Sequence, residues 1–350
     1  MTTGQYTYQE IDSQPEVWDS TLAKMVTESE GLRKQLGGIN QAPIVVIGCG
    51  STHYLAMHTA SILRLNGIFA IHAPSSDLVY FPLDQYPRGF NLLAISRSGT
   101  TTETIWAINR YKKEYPNGKV ISISCAENTP MAQASHINLI APSAAERSIA
   151  QTRSFSSMVL VSQVLAGLLS GNSEIMKNQQ KLPAILRKIN EKYKTLVEKL
   201  GRDLSIERMF YLGDGPLYGI ASEAMLKAKE MSCSWVETYH SLEFRHGPMS
   251  LANEKTLIVG LISDSARDAE LLVLREMKKL GVRTLAIIES AKGIDLTGID
   301  DVVELNSGIK ELDRTALFLP LLQWVAYYRS LEKGLDPDNP VNLSQVVYLK

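Results

Sequence analysis

The chain has 350 residues, of which 45% are apolar and 21% charged, with a formal net charge of −1. That length exceeds what one hydrophobic core usually serves, so two domains are expected. Near-neutrality gives no electrostatic ground for nucleic acid or an anionic membrane surface as a partner. No continuous apolar run has bilayer-spanning length, and the N-terminus lacks a signal-peptide core. Cys49, Cys125 and Cys233 are odd in number and scattered. They offer neither a disulfide framework nor zinc spacing, and they fit a reducing cytoplasm and no metal site.

Residues 1–40 read as an N-terminal arm: a polar lead, then a helical pattern through Val17, Leu22, Met25, Val26 and Leu32, with a helix start at Asp12-Ser13 before Pro15-Glu16. A buried strand follows at 43–48, then the Gly-containing turn Cys49-Gly50-Ser51-Thr52-His53, and a helix through Tyr54 to Leu63. Gly48-x-Gly50 after a strand lacks the third glycine of the dinucleotide fingerprint, so no nucleotide cofactor is expected. Further strands are predicted at 69–73, 90–95, 119–125 and 137–140, with helices starting at Ser75 and after Thr104.

The chemistry-bearing stretch is Ile95-Ser96-Arg97-Ser98-Gly99-Thr100-Thr101-Thr102-Glu103-Thr104. It leaves an apolar strand and enters a helix. Unpaired N–H groups and partial positive charge at a helix N-terminus favour an anion. Hydroxyls donate to phosphate oxygens, and glycine lets the backbone approach. An ordinary Ser/Thr cap needs one hydroxyl; five between positions 96 and 102 point to a phosphate or phosphosugar site. A third polar turn at 145–157 leads into an apolar helix at 158–169, which Gly171-Asn172-Ser173 ends. A charged helical pattern at 177–200 then connects to the second half.

There the pattern repeats: 208–215 echoes 45–50, 256–263 echoes the strand before Ser96, 284–288 echoes 119–123, and 301–305 echoes 137–140. The second copy carries Ser263-Asp264-Ser265-Ala266-Arg267-Asp268 in place of the Ser/Thr turn, and its carboxylates would repel a phosphate. One copy is expected to bind and the other to support. A helix at 221–231, expected to run on to Trp235, places Lys227 and Glu230 on one face at i, i+3; Glu237, Glu243 and His246 follow in a loop. Taken alone, Lys227 and Glu230 make a surface ion pair and His246 a cap or core residue. Together, a carboxylate and an imidazole suit proton transfer between adjacent sugar carbons and opening of a pyranose ring.

The expected fold is α/β: two tandem flavodoxin-like units, each a parallel sheet with helices on both faces. The boundaries are an arm (1–40), a phosphosugar-binding unit (41–172), a connecting helix (173–204), a second unit (205–335) and a tail closing over the active site (336–350).

The ordered set Gly-Cys-Gly-Ser-Thr, Ile-Ser-Arg-Ser-Gly-Thr-Thr-Thr-Glu-Thr, Ala-Gln-Thr-Arg-Ser-Phe, Leu-Lys-Ala-Lys-Glu and Phe-Arg-His-Gly-Pro resembles the tandem SIS (sugar isomerase) domain family. That family includes the isomerase half of glucosamine-6-phosphate synthase and stand-alone amino-sugar-phosphate deaminases and isomerases. The lead from Tyr8 to Trp18 also looks like the deaminase/isomerase branch. The resemblance implies that Thr52, Ser96, Arg97, Ser98 and Thr101 hold the phosphate, Arg97 standing where the synthase has glutamine. Ser51, Ile149, Gln151 and Gln345 would contact the sugar, Gln151 replacing a serine. Glu230 matches the base working between C1 and C2, with Lys227 beside it. His246 matches the ring-opening histidine, supplied across a homodimer interface.

Two departures narrow the expectation. Position 2 is Thr, not the cysteine nucleophile of the synthase's glutaminase domain, so glutaminase activity is not expected. Gln345 stands where the synthase has its imine-forming lysine, and an amide forms no Schiff base. The expected activity is aldose–ketose isomerisation of a sugar 6-phosphate, with loss of ammonia from an amino sugar and no cofactor. The alternatives are a fructosamine-6-phosphate deglycase and a non-catalytic phosphosugar-binding regulator.

Overall fold

The computed structural model of the protein describes residues 3–344, so Gln345 lies outside the described residues. The contacts divide the chain into two units: residues to 12, 148–150 and 184–343 in one, 13–147 and 151–183 in the other. The N-terminal arm therefore parts at Ser13. Helix α1 (Gln5–Asp12) goes with the C-terminal unit, and α2 (Gln14–Gln35) with the N-terminal one.

The N-terminal unit continues β1 (Ile44–Gly48), α3 (Ser51–Leu65), β2 (Ala70–Pro74), α4 (Ser75–Tyr80), β3 (Asn91–Ile95), α5 (Thr102–Glu114), β4 (Val120–Ser124), α6 (Pro130–Ala134), β5 (Ile137–Ile140), α7 (Arg153–Ser170) and α8 (Glu174–Gln179). Its strands form one parallel sheet in the order β2-β1-β3-β4-β5. β1, β3 and β4 bury every residue, as a parallel sheet covered on both faces requires; β2, at the edge, does not. In this order the switch point lies between β1 and β3, which run side by side from Ile44 and Asn91 to Ile47 and Ala94. The turns after both strands thus leave the sheet at the same end. Gly48 lets α3 start close against the end of β1, because a Cβ there would stand 2.2 Å from the Thr52 carbonyl oxygen.

Helix α7 starts at Arg153, five residues before the predicted 158. Its first turn, Arg-Ser-Phe-Ser-Ser, looks polar, yet Ser154, Ser156 and Ser157 are fully buried. The Ser156 hydroxyl accepts from Trp18 Nε1 at 2.9 Å and donates to Gln14 Oε1 at 2.6 Å, fastening α2 to α7. Among the described residues α7 is the one helix long and apolar enough to cross a membrane, but 89% of it is buried. It is a core helix.

The connecting region is two helices, α8 and α9 (Leu182–Arg202). The C-terminal unit then runs β6 (Arg208–Gly213), α10 (Leu217–Ser232), β7 (Trp235–Tyr239), β8 (Thr256–Leu261), α11 (Arg267–Lys278), β9 (Arg283–Ile288), β10 (Asp301–Glu304) and α12 (Leu319–Glu332). The sheet order β10-β9-β8-β6-β7, again all parallel, reproduces the first unit's topology. Here one expectation fails: α10 stops at Ser232 instead of reaching Trp235, and Glu237 lies on a strand. Cys233 caps the helix in the left-handed conformation (φ 47°), and Trp235 opens the edge strand, 65% exposed.

Two further ties shape this unit. Asp338 accepts from Thr7 N and Thr7 Oγ1, both at 2.7 Å, and from Tyr6 N at 3.0 Å, while Tyr8 packs edge-on against Trp324, centroids 5.0 Å apart. These contacts explain why α1 belongs here. Buried Arg329, on α12, donates to Ser234 Oγ at 2.8 Å and to the carbonyls of Asp203 (2.9 Å) and Ile206.

Acidic groups fill the carboxyl ends of this sheet. Asp264 pairs with buried Arg314 at 2.5 Å, and Glu289 pairs with the same guanidinium at 3.1 Å. Asp214 accepts from Ser241 N at 3.2 Å and lies 3.4 Å from His240 Nδ1. Glu270 accepts from Ser263 N at 2.7 Å and Ser263 Oγ at 2.9 Å. Asp214 and Glu270 share a side-chain hydrogen bond, and burial pushes the Glu270 carboxyl up to about 7. Burial also acts to raise Asp214, but hydrogen bonds from His240 and Ser241 outweigh it and hold that group below its ordinary range.

The folded state therefore keeps a proton on Glu270 that the unfolded chain releases near its ordinary 4.5. Its contribution to stability is complete below that value and is lost as pH rises to about 7. A Glu270→Gln protein, permanently uncharged there, is expected to gain on wild type by about 1–2 kcal/mol between pH 5 and 8. Thermal melts of both across that range check it; parallel pH profiles would refute it.

Candidate active site

The Ser/Thr turn of the N-terminal unit joins β3 to α5, at the carboxyl end of the sheet. Ser96 is 1% exposed; its Oγ lies 2.9 Å from Thr101 Oγ1 and accepts from Gly99 N at 3.1 Å. Ser98 Oγ accepts from Thr100 N at 3.2 Å and Thr100 Oγ1 at 2.9 Å. The turn is tied below by Cys125 N to the Arg97 carbonyl (3.0 Å) and Met131 N to the Gly99 carbonyl (3.1 Å). Gly99 has φ 64°, and a Cβ on it would lie 2.2 Å from Thr129 Oγ1. Both facts demand glycine.

Arg97 behaves differently from its hydroxyl neighbours. Its guanidinium is 10% exposed and faces Glu146 at 3.4 Å. Thr52, 3% exposed, accepts from Cys49 N at 2.9 Å and donates to the Cys49 carbonyl at 3.0 Å, so its hydroxyl holds the β1 turn that precedes α3. Ser51, also buried, begins that helix. Beside this turn a pocket of about 310 Å³ is lined by Cys49, Gly50, His53, Ser75, Ser76 and Glu103, among others. His53 Nδ1 and Glu103 Oε2 are buried without a partner among the described residues, and burial keeps the His53 imidazole below its ordinary pKa.

Ile149 and Gln151 lie on the segment before α7. Ile149 is half-buried in the stretch assigned to the C-terminal unit. The preceding residue is fixed by α1: Ser148 Oγ and N both donate to Glu10. Gln151 belongs to the N-terminal unit, and its Oε1 is buried without a partner.

In the C-terminal unit Lys227 is not the surface residue that its spacing alone suggests. It is fully buried, while Glu230 keeps 19% of its side chain exposed. The ammonium contacts Glu230 and stands 3.3 Å from Glu223 Oε1, itself 0% exposed. Burial acts to lower the Lys227 pKa, but the charges of Glu223 and Glu230 outweigh it and raise the pKa above the usual lysine value. Lys227 is therefore a cation between two carboxylates, only one of which reaches solvent. Glu223, which the sequence reading passes over, is signalled by its i, i+4 spacing to Lys227. His246 is exposed, between the short 3-10 turns Glu243–Arg245 and Pro248–Leu251.

The structure thus gathers Thr52, Ser96, Ser98 and Thr101 at neighbouring strand ends of one unit, with Arg97 turned to Glu146, and sets Lys227 and Glu230 on one helix of the other. Against known proteins, the SIS domain model matches residues 39–168 and 204–308. Glutamine–fructose-6-phosphate aminotransferase (isomerizing) from Sulfurisphaera tokodaii is 29% identical over 97% of this chain. The chain spans only 55% of that relative's length, and about half the length of the curated relatives it matches. Among solved structures, a putative tagatose-6-phosphate ketose/aldose isomerase from Clostridium novyi is 25% identical with TM-score 0.88, covering 99% of this chain and 94% of that one. Glucosamine-6-phosphate deaminase from Thermotoga maritima is 25% identical with TM-score 0.78, covering 98% and 100%. With the SIS model matching both halves of the chain, and each half folded as a parallel sheet of the same strand order, the protein belongs to the SIS domain family.

Proposed function

We propose that this protein is an aldose–ketose isomerase of sugar 6-phosphates, acting on an amino-sugar 6-phosphate with release of ammonia. The observation that carries the reading is the Glu223–Lys227–Glu230 row. A base for carbon acids must be held in place and reachable; the contact with buried Lys227 provides the first, and the exposed edge of Glu230 the second. The phosphate is held by the hydroxyls of Ser96, Ser98 and Thr101, the N–H groups that open α5, and the β1 turn shaped by Thr52. Ser51, Ile149 and Gln151 meet the sugar.

His246 opens the ring. Its exposure on this chain supports its use by a second copy in a homodimer. Glu230 then removes the C2 proton of the open aldose and returns it to C1, through an enolamine when C2 carries nitrogen. Water hydrolyses the resulting C2 imine to the ketose and ammonia. No imine to the protein is required, which accommodates Gln345. The free cysteines Cys49, Cys125 and Cys233 support a cytoplasmic location.

A second reading keeps the chemistry but puts a hydroxyl at C2. Similarity to a ketose/aldose isomerase as well as to a deaminase favours weighing both. Proton NMR with glucosamine 6-phosphate in D₂O, with ammonia assayed in parallel, separates them. Fructose 6-phosphate plus ammonia is the expected result. Exchange at C2 without ammonia would select the hydroxy-sugar reading, and binding of sugar phosphates with no exchange in any of them would leave a regulator.

Glu230→Gln is expected to lower turnover by about 10²- to 10⁴-fold with sugar-phosphate binding retained; full turnover would remove Glu230 from the role of base. Gly99→Ala, which forces a side chain into Thr129 at positive φ, is expected to cost about 1–3 kcal/mol of stability and to raise KM at least about tenfold. An unchanged KM would show that the turn does not hold the phosphate.

A further inference from the structure

One buried carboxylate closes the end of the segment that leads into α7. The Glu146 side chain is 0% exposed. Its Oε1 accepts from Thr152 N at 2.6 Å, Thr152 Oγ1 at 2.7 Å and Ser154 N at 3.1 Å. Its Oε2 accepts from the Ser154 hydroxyl and from the Arg97 guanidinium at 3.4 Å. Four of these contacts close the carboxylate's own loop; the fifth crosses to the phosphate turn. A buried carboxylate is costly unless it is fully hydrogen-bonded and charge-matched, and closing a polar loop does not by itself require a charge. The charge has one cationic partner in this set, and that partner is Arg97.

Gln151 stands immediately before Thr152, on the loop that Glu146 closes. Its buried Oε1 has no donor among the described residues, an unfavourable state that a donor on a ligand relieves.

We infer that Glu146 is a positioning residue: through Arg97 and Thr152 it fixes the Gln151 loop against the phosphate turn, so that one sugar phosphate engages both. The inference rests on the phosphosugar reading above. Glu146 itself touches no substrate. Arg97 orients the loop, its charge matched by Glu146, and Gln151 Oε1 accepts from a hydroxyl or ammonium of the sugar.

Calorimetric titration of the full chain with glucosamine 6-phosphate, fructose 6-phosphate and inorganic phosphate tests this on wild type, Glu146→Gln, Arg97→Met, Arg97→Lys and the Glu146→Gln/Arg97→Met pair. Each neutralising single variant is expected to weaken sugar 6-phosphate about tenfold while shifting inorganic phosphate less than about twofold. The double variant should bind no worse than the weaker single, because both remove the same link, and Arg97→Lys should recover most of the affinity. Equal loss of inorganic phosphate and sugar phosphate in Arg97→Met, with Glu146→Gln unaffected, would overturn the inference and make Arg97 a direct phosphate ligand. Where Glu146→Gln proves too unstable to titrate, the comparison of Arg97→Met with Arg97→Lys decides, since both keep Glu146 and its loop donors. Wild type that binds neither sugar phosphate defeats the functional reading, and the positioning role with it. Wild type that binds while all variants match it defeats the positioning role alone.

Discussion

A parallel sheet covered by helices on both faces has no polar face to offer, so its chemistry is confined to the ends of its strands. β1, β3 and β4 are buried at every residue, and each ends abruptly in hydroxyl-bearing or glycine-containing turns. Those turns stay open because of two close backbone approaches: Gly48 under Thr52, and Gly99 against Thr129. Side chains at either position would push apart the elements that bring the β1 and β3 turns together. The hydroxyls of Ser96, Ser98 and Thr101 are thus products of a packing constraint as much as of local propensity.

The duplicated topology shows what happens where the same strand ends are not kept open. In the C-terminal unit Asp264 and Glu289 are tied to Arg314, Glu270 holds the residue that ends the β8 strand region through Ser263, and Asp214 and Glu270 share a hydrogen bond. A phosphate arriving there would meet carboxylates already saturated by their neighbours. On α10 of the same unit, Glu223, Lys227 and Glu230 lie on one side of the helix.

What was legible from the sequence follows from burial. Strands buried on both faces give continuous apolar runs, as β1, β3, β4 and β8 do, and among the described residues nine of ten strands fall on segments expected to be strands. The tenth, β7, begins with exposed Trp235 and carries Glu237 at mid-strand, so its pattern resembles a loop. The start of α7 was hidden because buried Ser154 and Ser156 are satisfied through Glu146, Trp18 and Gln14, contacts that no local pattern announces. Helix α1 escaped for a related reason, its order deriving from Asp338, more than 300 residues away. The hydroxyl turn could be read directly, since five hydroxyls exceed the needs of a cap. The partner of Arg97 could not, because Glu146 lies 49 positions downstream.

Burial of charge does not by itself mark a functional residue in this protein. Arg329 is as buried as most of the core, yet its partners are a serine and two carbonyls, neutral acceptors that serve only to join α12 to the chain before β6 and after α10. Lys227 differs in kind. Two carboxyl groups flank one ammonium, one acidic side chain more than a simple buried pair contains. An extra acidic side chain in a core is tolerated most readily where one member can still be solvated, and that member is Glu230. That exposed edge is the one part of the row that reaches solvent, so the solvation that lowers its electrostatic cost falls on a single side chain.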